Sequence, residues 1–418
     1  MTDAGTPTGP VTRSSVTRVG AATAVSALCG YAVLYLAARD LDPAGFSVFG
    51  VFWGAFGLVT GAAFGLLQQS TREIRLSGRT ARHDPTAPAP TGITRPLRLA
   101  ATVGMTAAVV VATTAVLWAP HVFVESRRLS VVLLAVGLAC FCLHATLLGM
   151  LAGADRWSQY GALMVTDAGI RVVIAVATVT LGWGLEGFLW ATVGGSLSWL
   201  LLLLASPATR AAATLVARES PASFLRGAAH AVAAAGASAI LVMGFPVLLK
   251  TTSGELGAAG GVVILAVTLT RAPLLVPLTA MQGNLIAHFV DARAHRLRAV
   301  AQAVAVLAVV GAAGITLAAL TGPWLLRVGF GEQYRASGAL LAWLTAGAVV
   351  IAVLTVTGAA TVAAALHRAY SVGWVCATVA AAALLLLPLA LETRTVVALV
   401  CGPLVGIAVH LAALRERG

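Results

Sequence analysis

Polar residues set into otherwise apolar stretches are the places where this chain could do chemistry. Asp167 and Arg171 stand four residues apart in one such stretch, so on a helix they share a face. Two readings of them stay open: a self-contained ion pair that lowers the cost of placing charge in a bilayer, or the wall of an aqueous cavity in which Arg171 meets an anionic substrate and Asp167 tunes it. Arg271 has no acid nearby in Thr270-Arg271-Ala272-Pro273, and Pro277 follows a turn later. Proline bends a helix and frees a backbone carbonyl, and interrupted helices are where membrane transporters build their sites. Arg271 is therefore the strongest candidate for gripping an anion, with snorkelling toward a headgroup as its alternative. His144 shares a face with Cys140 but not with Cys142. Two ligands make no closed metal site, so His144 reads as a packing or cavity-lining residue that can titrate.

Soluble-enzyme motifs do not survive their context. Gly182-Trp183-Gly184-Leu185-Glu186-Gly187 fits a dinucleotide fingerprint, yet it lies between two apolar runs with no strand before it. A phosphate-binding loop needs a lysine after glycine, and the single lysine, Lys250, follows Leu249. No cofactor, no metal and no enzymatic activity are expected. The five cysteines, Cys29, Cys140, Cys142, Cys376 and Cys401, all sit in apolar runs and behave there as small hydrophobes.

What must position these residues follows from composition. The 418 residues are 59% apolar and 10% charged, with a mean hydropathy of +0.93, whereas soluble domains run about 45–50% apolar and about 25% charged. A bilayer-spanning helix needs about 20 mostly apolar residues, and the chain divides into twelve such runs. The expected fold is all-α and polytopic, with twelve transmembrane helices in two six-helix lobes around a central cavity. The net charge of +12 does not point to nucleic acid, because the arginines lie between the apolar runs. They concentrate on the side of the termini, as at Arg72, Arg75, Arg95, Arg98, Arg218, Arg226, Arg293 and Arg296, and thin out on the other, as at Arg39, Arg127 and Arg327. The positive-inside rule then places both termini in the cytoplasm, and the same charges attract anionic lipid. The Arg-rich, Lys-poor usage points to a high-GC bacterial source and hence to its plasma membrane.

The expected organisation is a disordered cytoplasmic tail at 1–16, an N-terminal lobe at 17–205 containing an unstructured cytoplasmic loop at 71–98, a cytoplasmic linker at 206–226, a C-terminal lobe at 227–414 and a tail at 415–418. The run in the seventh position is expected over 227–249. Leu41-Asp42-Pro43-Ala44-Gly45 and Leu256-Gly257-Ala258-Ala259-Gly260 follow the first and seventh runs at matching places, which favours six plus six. Glycines such as Gly57, Gly61 and Gly65 read as ordinary close packing between helices.

Ala38-Arg39-Asp40-Leu41-Asp42-Pro43-Ala44-Gly45-Phe46 resembles the junction between the first two spans of the O-antigen type of polysaccharide and oligosaccharidyl-lipid flippases, within the multidrug/oligosaccharidyl-lipid/polysaccharide exporter superfamily. Gly149-Met150-Leu151-Ala152-Gly153-Ala154-Asp155-Arg156-Trp157, with Tyr160 and Asp167 to Arg171, is similar to that family's turn between spans four and five. The second half departs more, with Leu256 to Gly260 and Arg271 to Pro273 carrying the likeness. The resemblance implies a flippase for a polyprenyl-pyrophosphate-linked glycan, working among membrane lipids and glycan-assembly membrane proteins. Cationic cavity residues carry over to Arg171 and Arg271, with Asp167 and His144 beside them, and Arg39, Gly45, Gly153, Pro273 and Pro277 are motif residues of the scaffold. A drug or cation antiporter of the same superfamily, an integral membrane glycosyltransferase or polymerase, and a transport-dead scaffold are the competing readings.

Overall fold

The computed structural model describes residues 13–83 and 92–416. It begins with α1 (Arg13–Asp40), α2 (Pro43–His83), α3 (Pro96–Val122), α4 (Arg127–Gly153) and α5 (Trp157–Leu181). The sixth span is broken into α6 (Gly184–Gly194) and α7 (Ser198–Ala205) by a 3-10 turn at Gly195–Leu197, and α8 (Pro207–Ala213) follows. The second half comprises α9 (Pro221–Val242), α10 (Phe245–Ser253), α11 (Gly257–Ala280), α12 (Gln282–Asp291), α13 (Arg296–Phe330), α14 (Gly338–Ala363), α15 (His367–Leu385) and α16 (Leu391–Arg415). Among the described residues, twelve helices are long and apolar enough to cross a membrane. The protein is a multi-pass membrane protein of two six-span lobes.

Local sequence explains where helices begin. Asp42, Ser206 and Ser220 each precede a proline, which suits a first helical position because its missing N–H would have no partner there. The Asp42 carboxylate accepts the Gly45 N–H at 2.7 Å, and Ser206 and Ser220 accept from Thr209 and Ser223. Gly45 and Gly153 serve close approach. The side of Gly153 lies against Ile74 and the Thr71 carbonyl of α2, so α2 and α4 meet there.

The structure departs from the expected organisation in four places. The loop at 71–98 is not unstructured: α2 continues to His83 and α3 starts at Pro96, with residues 84–91 outside those described. The α2 extension holds because Ile74 is buried and Arg75 reaches Asp155 at 2.9 Å. The linker at 206–226 contains α8 and the first turns of α9, and the run at 227–249 is split, since α9 ends at Val242 and α10 begins at Phe245. Of the expected tails, residues 1–12 and 417–418 lie outside the described residues, while residues 13–16 form the start of α1.

The lobes meet along α2. Its glycines Gly50, Gly54, Gly57, Gly61 and Gly65 face Ile264 of α11, Pro246 of α10, Met243, and then Ala239 and Val232 of α9. What reads as ordinary packing in sequence is the seam between the halves. At the end of the molecule carrying the α1–α2 corner, here the corner end, Gly261 lies against the Pro43 carbonyl and Phe46 packs on Tyr334 at 6.0 Å. Tyr334 is fully buried and donates its hydroxyl to the Leu41 carbonyl at 3.4 Å. Burial, with the Asp42 carboxylate nearby, pushes its phenol well above the ordinary tyrosine range, so it stays a donor.

At the opposite, terminal end the packing loosens. In α1, Val33, Leu34, Ala37 and Ala38 are buried while Val25 and Leu28 are exposed. In α11, Val263 to Val267 are buried while Pro273, Pro277 and Thr279 are exposed. These two helices are thus enclosed over their corner-end halves only.

A methyl on Gly65 would stand 2.3 Å from the Val232 backbone nitrogen, whereas one on Gly30 meets nothing within 4 Å. Gly65→Ala is expected to cost at least the 1–3 kcal/mol, roughly, of an overpacked core and Gly30→Ala to cost nothing, as read by thermal unfolding in detergent. Equal midpoints for the two variants would show that the α2–α9 contact is not tight.

Candidate functional site

Asp167, Arg171 and His144 come together in the N-terminal lobe. Arg171 Nε donates to Asp167 Oδ2 and Nη2 to Oδ1, both at 3.0 Å, a bidentate pair within α5. Arg171 Nη1 donates to the Thr192 carbonyl of α6, in the turn where α6 gives way to the 3-10 segment. A glycine at 195 lets that backbone approach, because a methyl there would lie 2.5 Å from Asp167 Oδ1 and 2.6 Å from Arg171 Nε. The guanidinium carbon also sits 5.5 Å from the centre of the Phe56 ring of α2. His144 pairs through Nδ1 with the hydroxyl of Ser198, the first residue of α7, at 3.0 Å and stacks on Phe141. All three side chains therefore converge on the interruption of the sixth span, and both forks of Arg171 are occupied.

Arg271 lies in the other half, in α11, and is 7% exposed. Its guanidinium is enclosed by protein and does not snorkel. Nη1 donates to the carbonyls of Val242 at 3.1 Å and Leu241 at 3.4 Å, the last residues of α9. Those carbonyls are left over because α9 ends at Val242: their α-helical donors would be the N–H groups of residues 245 and 246, and Pro246 has none. A helix C-terminus carries partial negative charge, and the face of Phe245 adds a second attraction with its ring centre 5.0 Å away. Among the described residues Arg271 has no carboxylate partner, and its Nε and Nη2 are buried without an acceptor. A buried cation with two unpartnered nitrogens, three N–H bonds between them, is a costly arrangement.

The prolines act differently from the sequence expectation. The helix α11 runs unbroken through Pro273 and Pro277, and the interruption that Arg271 serves is in the neighbouring span, at Met243–Gly244. The Gly244-Phe245-Pro246 sequence was the available signal. The roles of Phe56 and Phe245 left no signal, since a ring beneath a guanidinium is set by packing between distant segments. Arg39 is exposed at the corner end, beside Gly331. No group of three or more His, Cys, Asp or Glu residues among those described is placed to hold a metal ion.

No family model matches the chain. The uncharacterized protein Mb3654 of Mycobacterium bovis (strain ATCC BAA-935 / AF2122/97) is 67% identical over 408 residues, which cover 98% of this chain and 94% of that protein. The uncharacterized protein Rv1510 of Mycobacterium tuberculosis (strain ATCC 25618 / H37Rv) is 63% identical over 423 residues, covering 100% and 96%. The chain belongs to this mycobacterial family. Among solved structures, the inward-facing conformation of a multidrug resistance MATE family transporter of the MOP superfamily is similar with a TM-score of 0.73 at 18% identity, over 96% of this chain and 98% of that one. The outward-facing conformation of a transporter of that description gives 0.66 at 17% identity, over 96% and 95%. The family shown by the mycobacterial relatives thus has the MATE transporter fold.

Asp167→Asn leaves Arg171 charged and uncompensated in the interior. It is expected to destabilise the protein by roughly 3–5 kcal/mol, with Asp167→Asn combined with Arg171→Gln recovering most of the loss in thermal unfolding. A double variant no more stable than Asp167→Asn alone would mean that the pair is not a closed electrostatic unit.

Proposed function

We propose that this protein is an alternating-access exporter that moves a polyprenyl-pyrophosphate-linked oligosaccharide or polysaccharide precursor across the bacterial plasma membrane, with both termini in the cytoplasm. The observation that carries the reading is Arg271: a buried guanidinium with no carboxylate partner among the described residues and two unpartnered nitrogens, placed where the enclosed half of α11 gives way to the half open toward the terminal end. A pyrophosphate suits it, because a planar fork donates two hydrogen bonds at once to such oxygens. A polar glycan cannot cross hydrocarbon unshielded, while a polyprenyl tail stays in the bilayer, so the protein needs to shelter only the head in a cavity between its lobes. Closure at the corner end with loosened packing at the terminal end is the inward-open half of such a cycle. Membrane lipids and the glycan-assembly membrane proteins of the cell envelope are its expected company.

Drug or cation antiport is the second reading, favoured by the multidrug transporters among the similar folds. A cation needs a free carboxylate at membrane depth, and Asp167 already receives two hydrogen bonds from Arg171.

In proteoliposomes supplied with a polyprenyl-pyrophosphate-linked oligosaccharide, Arg271→Ala is expected to lower flipping by about a hundredfold, the scale of losing one or two charge-assisted hydrogen bonds of roughly 1.5–3 kcal/mol each, with Arg271→Lys keeping part of it. Correct insertion of both variants, checked by the thermal midpoint, separates transport from folding. Full flipping by Arg271→Ala would sink the proposal, and drug efflux by the wild type without any flipping would transfer the site to the second reading.

A further inference from the structure

The corner end holds a cavity between the lobes whose lining includes neither Arg171 nor Arg271. Ser47 and Val51 of α2 and Glu125 after α3 contribute from one lobe, and Lys250 of α10 and Glu255 before α11 from the other. Helices α2 and α11 begin here while α3 and α10 end here, so the cavity lies where spans leave the apolar layer, level with lipid headgroups. Its volume of about 190 Å³ is below the roughly 300 Å³ at which drug-sized molecules are held. A small polar group fits it better.

Lys250 is the single lysine of the chain and is 7% exposed. Its Nζ donates to the Gly254 carbonyl at 2.8 Å, and an ammonium carries further donors beyond that one. Among the described residues Lys250 forms no ion pair, and neither do Glu125 and Glu255, which are both exposed. The cation therefore lies at the floor of the cavity and the acids at its mouth. Apart from Ser47 the rest of the lining is apolar, as at Val51 and Val122.

A plain anion would meet the two carboxylates at the mouth, and a plain cation would meet the ammonium at the floor. A ligand with a phosphate and a primary ammonium a few bonds apart complements both charges. The phosphate accepts from the remaining N–H groups of Lys250, and the ligand's own ammonium donates to the carboxylates. At headgroup depth and beside apolar walls, such a ligand is a lipid: its phosphodiester has a second arm, which leaves the acyl chains in the bilayer.

We propose that this cavity binds the headgroup of an ethanolamine phospholipid, with its phosphate on Lys250 and its ammonium on Glu125 and Glu255, so that one lipid bridges the two lobes at the corner end. The inference rests on the chain lying in a bilayer and not on what it transports.

The test titrates the full chain in detergent micelles with dioleoyl phospholipids carrying ethanolamine, choline or glycerol headgroups, and reads bound lipid by native mass spectrometry. The ethanolamine lipid is expected to be retained about tenfold more than either of the others, the scale of one hydrogen bond to a charged group. Choline lacks the N–H donors, and glycerol lacks the cation. Lys250→Gln is expected to bring the three lipids to one level, as is Glu125→Gln combined with Glu255→Gln. Both glutamates are exposed, so the double variant keeps its fold even where Lys250→Gln does not. Equal retention of the three lipids by the wild type overturns the proposal, as does an undiminished ethanolamine preference in the double variant. Displacement of the lipid by equimolar O-phosphoethanolamine overturns it too, because the ligand would then be a soluble zwitterion. Flipping, measured separately, succeeds or fails without altering any of these outcomes.

Discussion

A helix interrupted inside a bilayer leaves carbonyl oxygens that no water can satisfy, and each needs a donor from the protein itself. Among the described residues, the interruption of the sixth span and the one at the end of α9 are each met by an arginine from another helix. Arg171 of α5 reaches the Thr192 carbonyl where α6 breaks, and Arg271 of α11 reaches Leu241 and Val242 where α9 ends. The arginines and the breaks therefore explain each other. A straight span would offer no carbonyl to a guanidinium, and a broken one without a guanidinium would strand its oxygens.

The two arrangements differ in what they leave over. Arg171 is neutralised by Asp167, and its N–H groups point at that carboxylate and at the backbone. Arg271 has a helix end and an aromatic face instead, which attract its charge without cancelling it, and part of its fork is unused. Both border the same turn of α2: Phe56 lies under Arg171, while Gly54, Gly57 and Leu58 touch the residues of the break that Arg271 serves. A shift of α2 along its glycine seam would change the surroundings of both cations at once.

Much of this was legible in the residues. Runs of about 20 apolar residues sufficed for twelve spans, and the four-residue spacing put Asp167 and Arg171 on one face. What stayed hidden depended on contacts between distant segments. Hydropathy cannot distinguish a continuous span from one broken at Gly244, because both halves are equally apolar. Pro273 and Pro277 drew attention as breaks, yet α11 passes through both, since a bilayer helix whose neighbours satisfy the freed carbonyls tolerates proline. The stretch after residue 71 looked like loop because it is polar. Helix α2 simply continues beyond the apolar layer, anchored by Ile74 and by the ion pair of Arg75 with Asp155.

The two halves also carry the marks of one motif used twice. In the turn after α4, the N–H groups of Ala154, Asp155 and Arg156 bond Met150, Ala152 and Leu151, and 210 residues on those of Ala364, Ala365 and Leu366 bond Ala360, Val362 and Thr361. Asp155 and Ala365 both take the left-handed conformation, at φ 56° and 60°. His144 meets the Ser198 hydroxyl, while Thr357 meets His410, the same bridge between spans with the partners exchanged. The arginines do not follow the repeat. The offset of that turn sets Arg171 opposite Ala381, and the offset of 215 between Leu41 and Leu256 sets Arg271 opposite Phe56. The scaffold thus repeats its turns and its histidine bridges but not these two arginines, while Lys250, also buried, donates its ammonium to the Gly254 carbonyl. Of the two arginines Arg271 alone is left uncancelled, so two structurally similar halves carry unequal charge at their buried arginines.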